Sequence, residues 1–523
     1  MFSHLPYLRS LAFATCLLFV LPLGAEENVA AQVDRLFSMT SNDVPTPPLV
    51  GDAHYLRRVY LDFAGRVPAR EELERFLNDP AADKRTAILD LLLASPEYPR
   101  RMRELFGNML MERRGENTEW SRFLESSFAE NKPWDQFARE ILAPDSENEA
   151  LRGAAFFHTR RLEKVGQQET DYPGLARDVG RLFLGIDLQC AQCHNHLFIE
   201  SYKQQDFQGL FTVYQNTFIR NDLKFPALAE KVLSKKQEFM SVFDKIPLTT
   251  GPRVPGGVEI EIPTFGKNEE YLQPPDRKTN FPGVPKFSPL KSLAAEIAAP
   301  TNTAFTRNIV NRVWFVLLGR GLVHPLDQQH VANPPSHPEL MELLTREFAA
   351  HRLDLKWLLR ELALTQAYQR ASAHSNGIER PLSAEQIMRS VLVATGPRQY
   401  KPLAADAEEK IRVPFVKAFG NPAAEPELEF SPSLKSALFV LNDPLVIESL
   451  QSQEGNLVER LSKQGDAQAF AEELYLAILI RSPSEEERTL VAEVLQQAVD
   501  RKANAIANMV WGLLASTEFC LNH

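Results

Sequence analysis

Cysteine is scarce in this chain. Four cysteines occur in 523 residues, and one of them, Cys16, sits inside an apolar leader. The remaining three, Cys190, Cys193 and Cys520, are too few and odd in number for a disulfide framework. The close pair therefore needs an explanation of its own. Long apolar runs are missing after Leu23, which argues against a membrane span in the rest of the chain. Positive charge is also in short supply, with 58 Lys and Arg against 68 Asp and Glu. So acidic a surface disfavours nucleic acid as a partner. The sequence has no His-Glu-x-x-His, no Gly-x-Ser-x-Gly and no Walker-type loop, so no familiar hydrolase or nucleotide signature guides the reading.

At the start, Arg9 precedes an apolar run from Leu11 to Leu23, which closes on Gly24-Ala25 ahead of Glu26-Glu27. This layout predicts a secretory signal peptide, residues 1–25, cleaved after Ala25. An uncleaved anchor is the alternative, although the run is short for a bilayer. Cys16 lacks the small residues that precede a lipidated cysteine. Cleavage leaves 498 residues and moves the formal net charge from −10 to −11. The expected location is periplasmic or secreted, in an oxidising compartment. Length suggests about two to four domains.

Hydrophobic periodicity predicts a mostly α protein. Ile88, Leu89, Leu91, Leu92 and Leu93 form an apolar stripe beside Lys84 and Arg85. Asn131-Lys132-Pro133-Trp134-Asp135-Gln136-Phe137 reads as a helix start, with proline confined to the first turn and an acidic residue near the positive end of the dipole. A further helix is expected from Leu175 to Leu184, ended by Gly185. Nine prolines fall between Pro247 and Pro289, both included, and helix cannot persist through that spacing. Inside this stretch Val258-Glu259-Ile260-Glu261-Ile262 alternates and predicts a short strand. The expected organisation is a helical region over 26–246, a Pro-rich segment over 247–289, and a second helical region over 290–523, itself interrupted by prolines around Asn421 to Pro432.

One internal similarity stands out. Tyr60, Leu61, Arg66, Pro68, Glu71 and Glu72 recur at identical offsets as Tyr475, Leu476, Arg481, Pro483, Glu486 and Glu487. Leu92-Leu93-Ala94-Ser95-Pro96-Glu97-Tyr98 likewise resembles Leu513-Leu514-Ala515-Ser516-Thr517-Glu518-Phe519. Either the unit is duplicated or both copies obey shared packing rules.

The strongest chemical signal is Cys190-Ala191-Gln192-Cys193-His194-Asn195-His196. Two thiols at this spacing reach the two vinyl groups of one haem, and the adjacent histidine becomes an axial ligand of the iron. Cys190, Cys193 and His194 are thus the candidates for haem c attachment and ligation. The same residues offer ligands to a zinc or iron ion, with His194 and His196 as its nitrogen donors. A disulfide between the two cysteines is a third reading. For the sixth iron position, His158, Met109 and Met111 are candidates, although a histidine flanked by Phe156 and Phe157 is more often a core residue. Cys520 or a remote carboxylate would join the cluster if a bare metal were held.

Farther on, Asn308, Asn311, Arg312 and Trp314 lead to Leu318-Gly319-Arg320-Gly321-Leu322-Val323 and then Pro334-Pro335-Ser336-His337-Pro338-Glu339-Leu340. Ser336 and Glu339 have the spacing of a capping box, which is favoured over a ligand role for His337. Arg312 and Trp314 are expected to pack against buried partners.

These residues closely resemble the planctomycete secreted proteins that join a DUF1549 (PSCyt2) domain to a DUF1553 (PSD1) domain. Tyr60-Leu61-Asp62 with Gly65, Asn131 to Phe137, and Phe183-Leu184-Gly185 leading into the cysteine pair carry the first resemblance. Asn311-Arg312-Val313-Trp314, Gly319 to Val323, Pro334 to Leu340 and Leu513 to Phe519 carry the second. The resemblance implies export and an association with cytochrome-like proteins, hence a redox partner protein, but no settled activity. A secreted metal-binding enzyme or scaffold acting on extracellular polymers is the alternative. Relatives usually have Asp where this chain has Asn195, and Pro where it has Leu197.

Overall fold

The computed structural model describes residues 28–38, 47–164, 166–370, 379–426, 439, 443–498 and 501–523. The signal-peptide expectation lies outside them. Among the described residues the chain is mostly helical, and its strands form four antiparallel two-stranded pairs of two to four residues per strand. No described helix is long and apolar enough to cross a membrane.

The apolar stripe around Leu89 forms the helix Lys84–Ala94, burying Leu89, Leu92 and Leu93. Trp134 opens the helix Trp134–Leu142 directly after Pro133, with Asp135 in its first turn. The Trp134 ring lies 5.8 Å from Phe106, 6.3 Å from Phe183 and 5.9 Å from Phe305. Offset aromatic contacts of this kind add to the burial of large apolar area. Because Phe305 belongs to the helix Thr303–Leu318, this aromatic cluster joins the helical regions on either side of the Pro-rich segment into one core.

The Pro-rich segment departs from the expected pattern. Val258 to Ile262 forms no strand, its Ile260 N–H bonding Pro252 O instead, and the strands are Gln237–Met240 with Pro247–Thr250 and Tyr271–Gln273 with Val284–Pro285. Pro252, Pro255 and Pro263 crowd the alternating stretch and limit its ladder bonds. Its alternation does not mark one buried face, since Ile260 packs against the core while Val258 is 87% exposed. A second expectation also fails. Pro338 takes the first position of the helix Pro338–Ala350, which makes His337 the N-cap without a side-chain capping bond. Ser336 Oγ instead meets His337 Nδ1 at 2.9 Å. Proline's preference for the first helical position displaces the start by one residue and breaks the capping-box register.

The repeated sequence unit is repeated in space. Helices Asp52–Phe63 and Arg70–Leu77 correspond to Ala467–Ile478 and Glu485–Gln497. Arg66 donates to both oxygens of Glu72 at 2.7 and 2.8 Å and to both oxygens of Glu97 at 2.7 and 3.0 Å. Arg481 donates to Glu487 at 2.8 and 2.8 Å and to Glu518 at 2.6 and 2.9 Å. Each guanidinium also lies over the tyrosine six residues before it, at 5.1 Å for Tyr60 and 5.4 Å for Tyr475. A planar fork gripping two carboxylates fixes the corner between three helices. The copies differ in exposure, the Arg66 side chain being 2% exposed and that of Arg481 22%. Arg66→Met is therefore expected to cost about 3 kcal/mol, since it removes a buried guanidinium that pairs two half-buried carboxylates. Arg481→Met should cost roughly 1 kcal/mol because solvent screens the second copy. Parallel chemical denaturation of the two variants measures this, and equal losses would refute the screening account.

Candidate functional site

The helix Tyr172–Leu184 ends at Gly185, which has φ 68°. The N–H of Gly185 bonds Arg181 O and that of Ile186 bonds Gly180 O, closing the helix by a left-handed turn. Glycine is needed here twice over, because a Cβ would also lie 2.4 Å from Gln329 Nε2. The chain leaving this turn is held from across the molecule: Asp187 N bonds Asp327 O, and Gln329 N bonds Gly185 O. That anchorage delivers the chain to a 3₁₀ turn, Cys190–Gln192, pinned by the buried side chain of Ala191.

Cys190 and Cys193 are free and exposed. The two neighbouring histidines have opposite polarity. His194 Nδ1 lies 2.6 Å from the carbonyl oxygen of Asn195. A carbonyl only accepts, so Nδ1 carries the proton and the Nε2 lone pair is left for a ligand. His196 Nδ1 accepts from the backbone N–H of Phe198 at 3.2 Å and of Ile199 at 3.0 Å. A neutral His196 must then carry its proton on Nε2, where it donates rather than ligates. His196 acts as a turn-forming residue, its ring edge-on to Tyr202 at 5.9 Å. Asn195 also has a local task, its Oδ1 accepting from the N–H of Gln204 at 2.9 Å, just inside the helix Gln204–Tyr214. The side chain at 195 thus does not orient a histidine, whereas its backbone carbonyl does.

An exposed apolar shelf borders the turn. The hairpin of Gln237–Met240 and Pro247–Thr250 is tied to it by Val242 N bonding Cys193 O at 3.2 Å. Gln204 Nε2 adds a bond to Met240 O at 3.2 Å. Phe243 lies 4.7 Å from the His194 ring. Met240, Val242, Phe243, Ile246 and Leu248 on the hairpin, with Leu197 and Phe198 beside His196, are all exposed, Phe198 to 88%. Several exposed apolar side chains on one short hairpin are a feature of binding surfaces. Sequence reading missed the hairpin's share, because these residues fall near or inside the Pro-rich segment and carry no signal until the hairpin folds back.

The other candidates lie elsewhere. His158 is fully buried, with Phe157 and Tyr214 as its ring neighbours, so it does not reach the surface turn as a sixth iron ligand. Met111 is buried and its sulfur accepts from Arg161 at 3.5 Å. Met109 lines a cavity to which no residue of the 190–196 segment contributes. Cys520 is half-buried, burial pushes its thiol up to about 11, and it sits beside Arg57 rather than the cysteine pair. Arg312 is buried as expected, donating to Asn308 Oδ1 at 3.1 Å and Arg181 O at 2.8 Å and pairing with Asp327. Among the described residues no group of three or more His, Cys, Asp and Glu side chains is arranged to hold a metal ion. Three or more of the thiols and imidazoles that were candidates for direct chelation are therefore not brought together. Haem attachment does not require convergence, since the thiols bond the rim of the ring and the imidazole bonds its centre.

Residues 32–218 match the family model of PSCyt2, a protein of unknown function (DUF1549). Residues 291–401 match that of PSD1, a protein of unknown function (DUF1553). No curated protein and no solved structure matches the chain.

Proposed function

We propose that this chain, which carries a PSCyt2 and a PSD1 domain, is an exported c-type haem protein that exchanges electrons with a redox partner. Cys190 and Cys193 are the attachment points and His194 is the axial ligand. The observation that carries this reading is the polarity of His194, whose Nδ1 is occupied by the Asn195 carbonyl so that Nε2 is free. A proximal histidine is oriented in this way, by a second-shell acceptor on its other nitrogen. Thioether attachment needs reduced thiols, and both cysteines are free and exposed. Leu197, Phe198, Val242 and Phe243, all exposed, would offer apolar contacts to the group. When bound, haem c supplies one-electron transfer at iron, tuned by its axial ligand and burial. The chain's own part is to hold the group rigidly at its surface, where a partner protein gains access.

The test is expression in a host with c-type haem maturation. Wild-type protein is expected to carry one haem per chain that survives denaturation and acid extraction. Cys190→Ser with Cys193→Ser should abolish that covalent haem, His194→Ala should alter or prevent ligation, and His196→Asn should retain it. A colourless product with stoichiometric zinc or iron, lost on His196→Asn, would establish the metal-ion reading instead.

A further inference from the structure

A cleft among the described residues lies apart from the cysteine turn, where the two helical regions meet. It has a volume of about 220 Å³ and is walled by the helices Glu97–Met111 and Thr303–Leu318 and by the start of Ala384–Thr395. Asp62, Arg312 and Gly319, from the segments that carry the two domain resemblances, all reach it. Leu105, Met109, Phe315 and Val316 give it an apolar side.

Four arginines line this cleft, and three are matched. Arg380 grips both oxygens of Asp62 at 2.6 and 2.8 Å. Arg181 pairs with Glu112 at 2.7 Å and Asp178 at 3.0 Å, and Arg312 pairs with Asp327. These pairings neutralise Asp62, Glu112 and Asp327. Arg101 is different. It is only 6% exposed, yet among the described residues its one hydrogen bond is a long one, 3.4 Å from Nε to the carbonyl oxygen of Asp62. Among the described residues neither terminal nitrogen of its guanidinium donates a hydrogen bond. Burial lowers the Arg101 pKa, and Glu104, Asp62 and Glu385 offset this only from a distance. A largely buried guanidinium that makes one long hydrogen bond and lines a cleft is able to pair with an anion there.

Two features position that guanidinium. Gly65, with φ +73°, passes so close that a Cβ would lie 3.1 Å from Arg101 Cδ, so the backbone there is shaped around the arginine stem. Ser383 and Ala384, at the opening of the helix Ala384–Thr395, also line the cleft and add the positive end of its dipole. The exposed carboxylate of Glu379 stands on the lining as well.

We propose that this cleft binds a small molecule through an oxyanion held by Arg101, with the rest of the ligand against Leu105, Met109 and Phe315. A guanidinium fork matches carboxylate, sulfate or phosphate. The volume is several times that of a single water, whose share of the liquid is about 30 Å³, and leaves room for a body beyond the oxyanion. The site is separate from the cysteine turn and does not depend on haem.

The experiment is calorimetric titration of the full chain at low ionic strength with sodium benzoate and, separately, sodium sulfate. Saturable 1:1 binding of either probe is expected, with affinity weakened at least about tenfold in Arg101→Met while the melting temperature is retained. Benzoate binding more tightly than sulfate identifies an organic acid, and the reverse order a free inorganic oxyanion. Arg346→Met, at an exposed arginine remote from the cleft, controls for general charge loss. Should Arg101→Met not fold, Arg101→Lys keeps the charge without the fork and is expected to weaken binding several-fold. Absence of saturable binding of both probes to the wild type, or binding unchanged in the Arg101 variant, overturns the proposal.

Discussion

Asp62→Ala is expected to destabilise the protein by about 4 kcal/mol, within the range for removing one partner of a buried ion pair. The carboxylate ends the helix Asp52–Phe63 and is 4% exposed. It accepts from Arg380 Nη1 and Nη2, from Tyr368 Oη at 2.6 Å and from Asn522 Nδ2 at 3.1 Å. These donors lie more than 300 residues away in sequence, so this one side chain fastens the first helices of the fold to its last segments. Removing it leaves a buried guanidinium without its anion, a buried phenol without its acceptor and an amide without a partner. Each loss adds to the penalty. Asp62→Asn keeps an acceptor but not the charge, and should cost roughly half as much. The double variant Asp62→Leu with Arg380→Met should recover most of the loss, because apolar replacement of both members of a buried pair is often neutral. Urea unfolding of the three variants measures the series. A loss below about 1 kcal/mol for Asp62→Ala, the range of an exposed ion pair, would sink this account.

The difference between what the sequence shows and what only the structure shows follows the range of the interactions. The helix Lys84–Ala94 is readable from its run of apolar residues, although only Leu89, Leu92 and Leu93 of the expected stripe are buried and Leu91 is exposed. Tyr172–Leu184 is readable as well, where Gly185 supplies the stop. The duplicated corner is readable because Arg66 and Glu72, like Arg481 and Glu487, are six residues apart and keep their offset. Its third member is harder to place, since Glu97 and Glu518 stand at different distances from their arginines. The Cys190 to His196 segment is evident by type and spacing, but the roles of its two histidines are not. They depend on which backbone groups meet each Nδ1, and that is settled by the turn geometry around Asn195 and Phe198. The apolar shelf and the sparsely paired Arg101 are invisible beforehand for a related reason. Both are defined by segments brought together from far apart, and the local pattern of Val258 to Ile262 even suggests the wrong strand.

His158 illustrates the same point and yields the second large effect. Its place beside Phe156 and Phe157 leaves ligand and core roles both open in the sequence. In the fold it is wholly enclosed, and among the described residues neither ring nitrogen has a hydrogen-bond partner. Burial, reinforced by the nearby Arg161 cation, pushes its pKa down from 6.5 to about 3. The unfolded chain therefore binds a proton near pH 6.5 that the folded chain refuses until about pH 3. Stability is complete above pH 6.5 and falls as pH drops between those values, by at most about 1.4 kcal/mol per unit. From pH 7 to pH 5 the expected loss from this residue is about 2 kcal/mol. His523, whose pKa burial lowers to about 4, acts in the same direction over the same interval. Asp178, held down to about 2 beside Arg161 and Arg181, loses its stabilising contribution only as pH falls below the ordinary carboxylate range. The difference between wild type and His158→Leu isolates the one histidine, since leucine fills a similar volume without a titrating group. Urea unfolding at pH 7 and pH 5 should show the variant losing about 2 kcal/mol less than wild type on acidification. Equal losses in the two proteins would mean that the His158 ring is protonated inside the fold, and that an acceptor reaches it there.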